Sequence, residues 1–225
     1  MDAQGLQSIE GAPRAGVWVL RYDWMVQETP EVVLALPERF DRVRHIRSTV
    51  LLSSYAAIRD RGYDTPYRAA LPKEHHPALF EAVAGMWIPI EAAVAHYEAC
   101  AALGLSHDAQ IALGRELGQK IRGTILGTAV RLTKEAGVTP WTVMPQFQRI
   151  WNRAYDGGGL YIEKRGPKEA HMEVHKASPA DCVYWRTALC GLSVGIIELF
   201  AGKAYMQETT RKRRPGFASF RLQWA

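Results

Sequence analysis

The chain is short of several features that would each announce a function. Cysteine is scarce: Cys100, Cys182 and Cys190 are the three in 225 residues. An odd number, set in apolar helical patterns without framework spacing, excludes a disulfide-stapled scaffold and reads as reduced thiols of a cytoplasmic protein. Long apolar runs are missing. The longest candidate, Ala188 to Ala201, is interrupted by Gly191, Ser193, Gly195 and Glu198, so no membrane span is expected. The opening MDAQGLQSIEGAPRAG lacks the apolar centre of a secretory signal. Charge of one sign is lacking too. Lys+Arg number 28 against 23 Asp+Glu, for a net +5, and part of the excess sits in the run Arg211–Arg214. That mixed surface does not point to nucleic acid. There is no internal repeat, no low-complexity tract and no catalytic signature; no Ser-His-Asp or Cys-His arrangement follows from residue order.

What is present is core-forming material. At 48% hydrophobic, the chain can bury a substantial core. It divides into an N-terminal extension, residues 1–45, and a domain, residues 46–225. The extension carries one or two strands, Gly16–Trp24 and Glu31–Leu36, the second bounded by Pro30 and Pro37. Ser48–Arg61 reads as a helix stopped at Gly62, and Ala78–Ile88 and Glu91–Leu103 as two more separated at Pro89.

The next stretch, Ser106–Gly137, predicts one long helix. Ile111, Leu117, Ile121, Ile125, Leu126, Val130 and Leu132 recur at threes and fours. Gly114, Gly118, Gly123 and Gly127 interrupt it, each at a cost of about 1 kcal/mol against alanine. With Thr124 and Thr128, these glycines form a thin strip that either a neighbouring element or a ligand can approach closely. Thr139 then caps a helix over Pro140–Tyr155, which ends at Asp156-Gly-Gly-Gly. Beyond it the period changes to two. Leu160 and Ile162 alternate with Tyr161 and Glu163; Met172 and Val174 alternate with His171, Glu173 and His175. Around the turn Arg165–Lys168 this is an antiparallel hairpin. Asp181–Lys203 is a nearly all-apolar helix, and Ala204–Thr210 with Phe217–Trp224 makes a second hairpin.

The expected fold is therefore α/β (α+β): an antiparallel sheet of about four or more strands covered by helices, in the order helix, helix, helix, hairpin, helix, hairpin. That order, with ALGRELGQKIRGTILG, FQRIWNRAYDGG, RGPKEA and FRLQW, resembles a myxobacterial paralogous family of unknown function. The family lies near the fold shared by the transport-protein-particle (TRAPP) subunits, the 4-vinyl-reductase-like domains and the heme-nitric-oxide-binding proteins. The resemblance covers residues 48–225. It implies an apolar or aromatic ligand, a lipid or a heme between helices and sheet, or a scaffold role. The chain departs from these relatives in having no cysteine cluster and no Tyr-x-Ser-x-Arg motif. His96 lies on an apolar helix without supporting residues. No cofactor is predicted; heme and a metal are the two that the residues leave open.

Each candidate site competes with a plainer reading. His171, Glu173 and His175 share one strand face, side chains ~7 Å apart at i, i+2, and could hold a divalent metal or form an exposed polar face. Arg165 and Lys168 could contact an anion or simply flank a turn. Lys212 and its neighbours could grip phosphate or serve as a solvated hairpin tip. His75, His76 and the cysteines read as capping or core residues; His96 reads as a helix histidine satisfied by partners. The aromatic set Trp87, Trp141, Trp151, Tyr155, Tyr184, Trp185 and Phe200 is mostly core. Where it faces the glycine strip, Gly114, Gly118, Trp151, Tyr184 and Phe200 are expected to line an apolar pocket. The function expected is a cytoplasmic, non-enzymatic small-molecule-binding or sensory module, taking a small apolar ligand or a protein partner and forming a homodimer. A protein-interaction scaffold with a filled core is the alternative, and a metal-dependent enzyme a third.

Overall fold

The computed structural model describes residues 30–120, 139–209 and 214–225. Among the described residues three strands come before the main hairpin: β1 (Glu31–Leu34), β2 (His45–Arg47) and β3 (Trp87–Pro89). β4 (Gly159–Gly166) and β5 (Glu169–His175) are that hairpin. Leu160 faces Val174 and Ile162 faces Met172 across the ladder. Directly opposed residues share a face, so the period-two pattern puts these four in the core and sends Tyr161, Glu163, His171, Glu173 and His175 to the other side. β6 (Ala204–Glu208) and β7 (Ala218–Trp224) form the second hairpin, and β7 pairs with β5. The sheet has five antiparallel strands in the order β1-β4-β5-β7-β6. The fifth is β1, which pairs with β4.

The helices are α1 (Ser48–Arg59), α2 (Asp64–Ala70), α3 (His76–Phe80), α4 (Ile90–Ala101), α5 (His107–Lys120), α6 (Pro140–Val143), α7 (Phe147–Ala154) and α8 (Val183–Ile197). Two expected helices are corrected. The helix expected over Ala78–Ile88 stops at Phe80; Gly85 turns the chain with φ +88°, and Trp87–Pro89 runs as β3 against β2. Ser48 holds this turn, its hydroxyl donating to Val83 O (2.8 Å) and accepting from the Met86 amide (3.1 Å). The helix expected over Pro140–Tyr155 is divided by a 3-10 turn at Met144–Gln146. Pro145 has no N–H to continue the α-helical ladder. Thr139 makes the capping box.

The glycines are explained by α5 against α8. A Cβ on Gly114 would stand 2.0 Å from Ala188 O, and one on Gly118 2.3 Å from Leu192 O. From the other side, a Cβ on Gly191 would stand 2.0 Å from Ile111 O and one on Gly195 2.4 Å from Arg115 O. The two backbones therefore touch, and only hydrogen fits between them. The same Gly191 and Gly195 that interrupt the apolar run of α8 are its contact surface. Arg115 then clamps Glu198 with two bonds, 2.7 and 2.9 Å. Gly123, Gly127, Thr124, Thr128, the end of the predicted long helix, the predicted strand Gly16–Trp24 and Lys212 lie outside the described residues.

The small β2–β3 sheet docks on the end of α7 through Asp156. Its Oδ1 accepts from the Arg44 and His45 amides, both at 2.8 Å, and its Oδ2 lies 2.5 Å from His45 Nδ1. Partial burial raises the Asp156 pKa, but these donors outweigh it and the net shift is downward.

Candidate functional site

A cavity of about 200 Å³ lies between the helices and the inner face of the sheet. α5 contributes Leu113, Gly114 and Leu117; α7 contributes Ile150, Trp151 and Ala154; α8 contributes Tyr184, Ala188, Leu189 and Leu192. Leu160 of β4 and Met172 of β5 form the floor, and Ser54 and Tyr97 come from α1 and α4. No described lining residue is charged. The aromatic wall is ordered by hydrogen bonds. Trp151 stacks on Tyr155 at 4.2 Å, stands perpendicular to Trp185, and donates from Nε1 to Gly157 O at 2.7 Å. Trp185 Nε1 donates to the Tyr155 hydroxyl at 3.2 Å.

One side of the cavity is backed by a buried polar network. His96 is fully buried. Its Nδ1 lies 2.6 Å from the Tyr67 hydroxyl and its Nε2 2.9 Å from Ser54 Oγ. The Cys100 thiol lies 3.7 Å from the same Nε2, and the buried Tyr184 adjoins the cluster. Burial drives every titratable member toward its neutral form. It lowers His96 to about 3, raises Cys100 to about 12, and pushes the Tyr67 and Tyr184 hydroxyls up. Tyr97 and Tyr155 are likewise shifted upward by burial. His96 thus has the partners that its place on an apolar helix required.

Of the expected pocket residues, Gly114, Trp151 and Tyr184 line the cavity. Gly118 does not, because α8 covers it; Phe200 packs against the core beyond the end of α8. Ser54, Tyr97 and Leu160 carry no signal in the sequence that would separate them from ordinary core. The nearest to a signal is His96, a lone titratable group in an otherwise apolar stretch of α4.

The other expected sites are occupied by protein. His171 Nε2 lies 3.2 Å from Glu173 Oε1, and His175 Nε2 lies 2.7 Å from Glu173 Oε2. The carboxylate stands between the two imidazoles, where a shared ion would have to sit. Among the described residues no three His, Cys, Asp or Glu side chains are spaced to hold a metal. Burial raises the Glu173 pKa, but the two imidazoles outweigh it, and the net shift is downward. Arg165 is ion-paired with the buried Glu163, so its charge is already met. Lys168 lies in the turn, its carbonyl accepting from the Trp224 amide at 3.2 Å. His76 Nε2 bonds to Leu71 O at 3.1 Å. Trp87 is exposed beneath Arg47, whose guanidinium lies 3.9 Å from the ring centre. Trp141 packs edge-on against Trp224 at 4.6 Å. No helix among the described residues is long and apolar enough to cross a membrane.

No protein-family model matches the chain, and no curated protein matches it. The myxobacterial-family and TRAPP-like parts of the resemblance find no support in these comparisons. Solved structures do match. The unliganded Fe(II) H-NOX protein from K. algicida superposes with a TM-score of 0.58 at 11% identity, covering 80% of this chain and 97% of that one. An oxygen-binding H-NOX domain related to soluble guanylate cyclases gives 0.53 at 13% identity, covering 80% and 95%. A point mutant of T. tengcongensis H-NOX gives 0.52 at 12%, covering 80% and 97%. At these identities the likeness speaks for architecture alone: the chain has the α+β fold of the H-NOX domains.

Proposed function

We propose that this chain is a non-enzymatic module that binds a small apolar ligand between its helices and its sheet, in a sensory or regulatory role. The observation that supports it most is the uncharged cavity of about 200 Å³. The pocket is partly open to solvent, and its wall is almost wholly apolar, so covering it with an apolar guest removes that surface from water. Residues 46–225 form the binding domain in this reading, and the preceding extension adds β1 to the sheet edge. The H-NOX neighbours favour a sensory role by analogy of fold.

The residues present do not fit the heme of those neighbours. Heme iron takes a histidine, a cysteine thiolate, a tyrosinate, or a methionine paired with a histidine; no cysteine lines the cavity, and Met172, which does, has no lining histidine beside it. All seven histidines of the chain fall among the described residues, and none lines the cavity. Both nitrogens of His96 are held by Tyr67 and Ser54. The lining tyrosines are buried and shifted toward the neutral phenol, and no described lining cation would meet propionates.

The test is a titration of the full chain with α-methylstyrene, followed by the fluorescence of Trp151 and Trp185, beside native mass spectrometry of the protein as purified. Saturable one-site quenching, or a co-purifying apolar mass, is expected. No quenching together with a bare chain mass leaves the filled-core scaffold as the correct reading.

A further inference from the structure

Six large apolar side chains are exposed among the described residues, and three of them fall within one five-residue stretch: Val83, Met86 and Trp87, at 68%, 51% and 38% exposed. They sit on the turn that leads from α3 into β3. Hydrogen bonds fix that turn in one shape. The Met86 carbonyl accepts from the Ser48 amide at 2.8 Å, and the Met86 amide donates to Ser48 Oγ and to Val83 O. The Gly85 carbonyl accepts from Arg47 Nη1 at 2.6 Å. The backbone of the turn is thus tied to the end of β2 and the start of α1, and its apolar side chains are the part left in water. Apolar side chains exposed singly are ordinary; a contiguous set rimmed by polar groups marks a surface that meets a partner or a membrane.

The charge beside the turn selects between them. Residues 39–47 hold Arg39, Arg42, Arg44 and Arg47 against one acid, Asp41. Arg39, Arg42 and Arg44 are exposed, and the Arg47 guanidinium is bonded to Gly85 O and stands over the Trp87 ring. Among the described residues none of these four arginines is ion-paired. Glu81, at the end of α3, and Glu91, in the first turn of α4, offset part of that charge. An exposed tryptophan with a cation on its face suits the headgroup level of a bilayer, and unpaired cations beside it are drawn to anionic lipid. Three side chains are too few for a second protein, since a stable interface covers about 800 Å² on each partner. We propose that the Val83–Trp87 turn, with the arginines that lead into and through β2, docks the protein reversibly on the surface of an anionic phospholipid bilayer. Val83 and Met86 enter the headgroup region and the arginines face lipid phosphate. The turn shares no residue with the cavity lining, so this inference stands apart from the ligand-binding reading.

The test is co-sedimentation of the full chain with vesicles of equal parts phosphatidylcholine and phosphatidylglycerol, beside vesicles of phosphatidylcholine alone. The chain should pellet with the mixed vesicles, bind them at least about fivefold more tightly than the neutral ones, and be released by added salt. Replacing the two most exposed side chains of the turn (Val83→Ser with Met86→Ser) keeps the backbone bonds to Ser48 and should weaken binding to the mixed vesicles about tenfold. Arg42→Gln with Arg44→Gln should weaken it about fivefold or more. No association of the native sequence with the mixed vesicles, or undiminished association in the serine variant, overturns the inference. Equal association of the native sequence with both kinds of vesicle overturns it as well and needs no variant to fold. Self-association of the native chain in sedimentation velocity, lost in the serine variant while vesicles leave the chain in solution, also overturns it and assigns the turn to a second copy.

Discussion

At the scale of single residues, two side-chain-free positions and one buried ring decide the most. Gly114 faces backbone, not flexible side chain: an added methyl would sit 2.0 Å from Ala188 O. Gly114→Ala is therefore expected to cost about 3 kcal/mol or more in chemical denaturation. Gly166→Ala, whose methyl would first meet the Glu169 Cβ at 3.7 Å, should stay within about 1 kcal/mol. Equal losses would contradict the close α5–α8 contact. His96 sets a pH dependence. Unfolded, it titrates near 6.5; folded, burial holds it at about 3. Between those values the unfolded chain binds the proton and the folded chain does not, so the contribution is complete above the unfolded value. It is lost as pH falls from about 6.5 toward 3, at up to about 1.4 kcal/mol per pH unit. Between pH 7 and 5, above most carboxylate titration, unfolding free energies should fall for the native sequence and fall much less for His96→Gln. Parallel slopes would mean that His96 is not held neutral in the core.

At the scale of elements, the strongest sequence patterns became structure and the shortest elements did not announce themselves. The period-two run became the β4–β5 hairpin, with Leu160 opposite Val174 and Ile162 opposite Met172, because register is strongly specified where one face is buried. The three-residue strands β2 and β3 are too short to carry a period. Their pairing comes from the tertiary anchors Ser48 and Asp156, so His45–Arg47 falls in no expected element and Trp87 and Ile88 read as the end of a helix. The glycines of α5 are legible as a demand for close approach, and the apolar run Ala188–Phe200 as the element facing them; that Gly191 and Gly195 are the points of backbone contact is not legible, since they read equally as breaks in that run. For the cavity, the aromatic residues are legible by type, whereas Ser54 and Tyr97 join it only through helix packing. Asp156 offers a check on docking. Asp156→Ala leaves the Arg44 and His45 amides without their acceptor and should cost about 1–2 kcal/mol at neutral pH. In that variant, hydrogen-exchange protection should be lost first in β2 and β3; protection unchanged there would show that the small sheet is held by other contacts.

At the scale of the whole molecule, the chain shares the α+β fold of the H-NOX domains, and its described cavity lining is uncharged. Every histidine is placed elsewhere or satisfied by protein, and the described lining is uncharged aromatic and aliphatic surface edged with hydroxyls. A solid core and a ligand site of this composition contain the same residue types; what separates them is whether the interior volume takes up a guest. Ligand that binds only the folded chain stabilises it by RT ln(1 + [L]/Kd), about 2.7 kcal/mol at a hundredfold excess over Kd. The most direct measurement is therefore the unfolding free energy of the full chain with and without saturating α-methylstyrene, set beside Ala154→Phe, in which a ring is built into the cavity wall. A saturable gain of about 2–3 kcal/mol is expected in the native sequence and none in Ala154→Phe. No gain in the native sequence, or an equal gain in both, would contradict it.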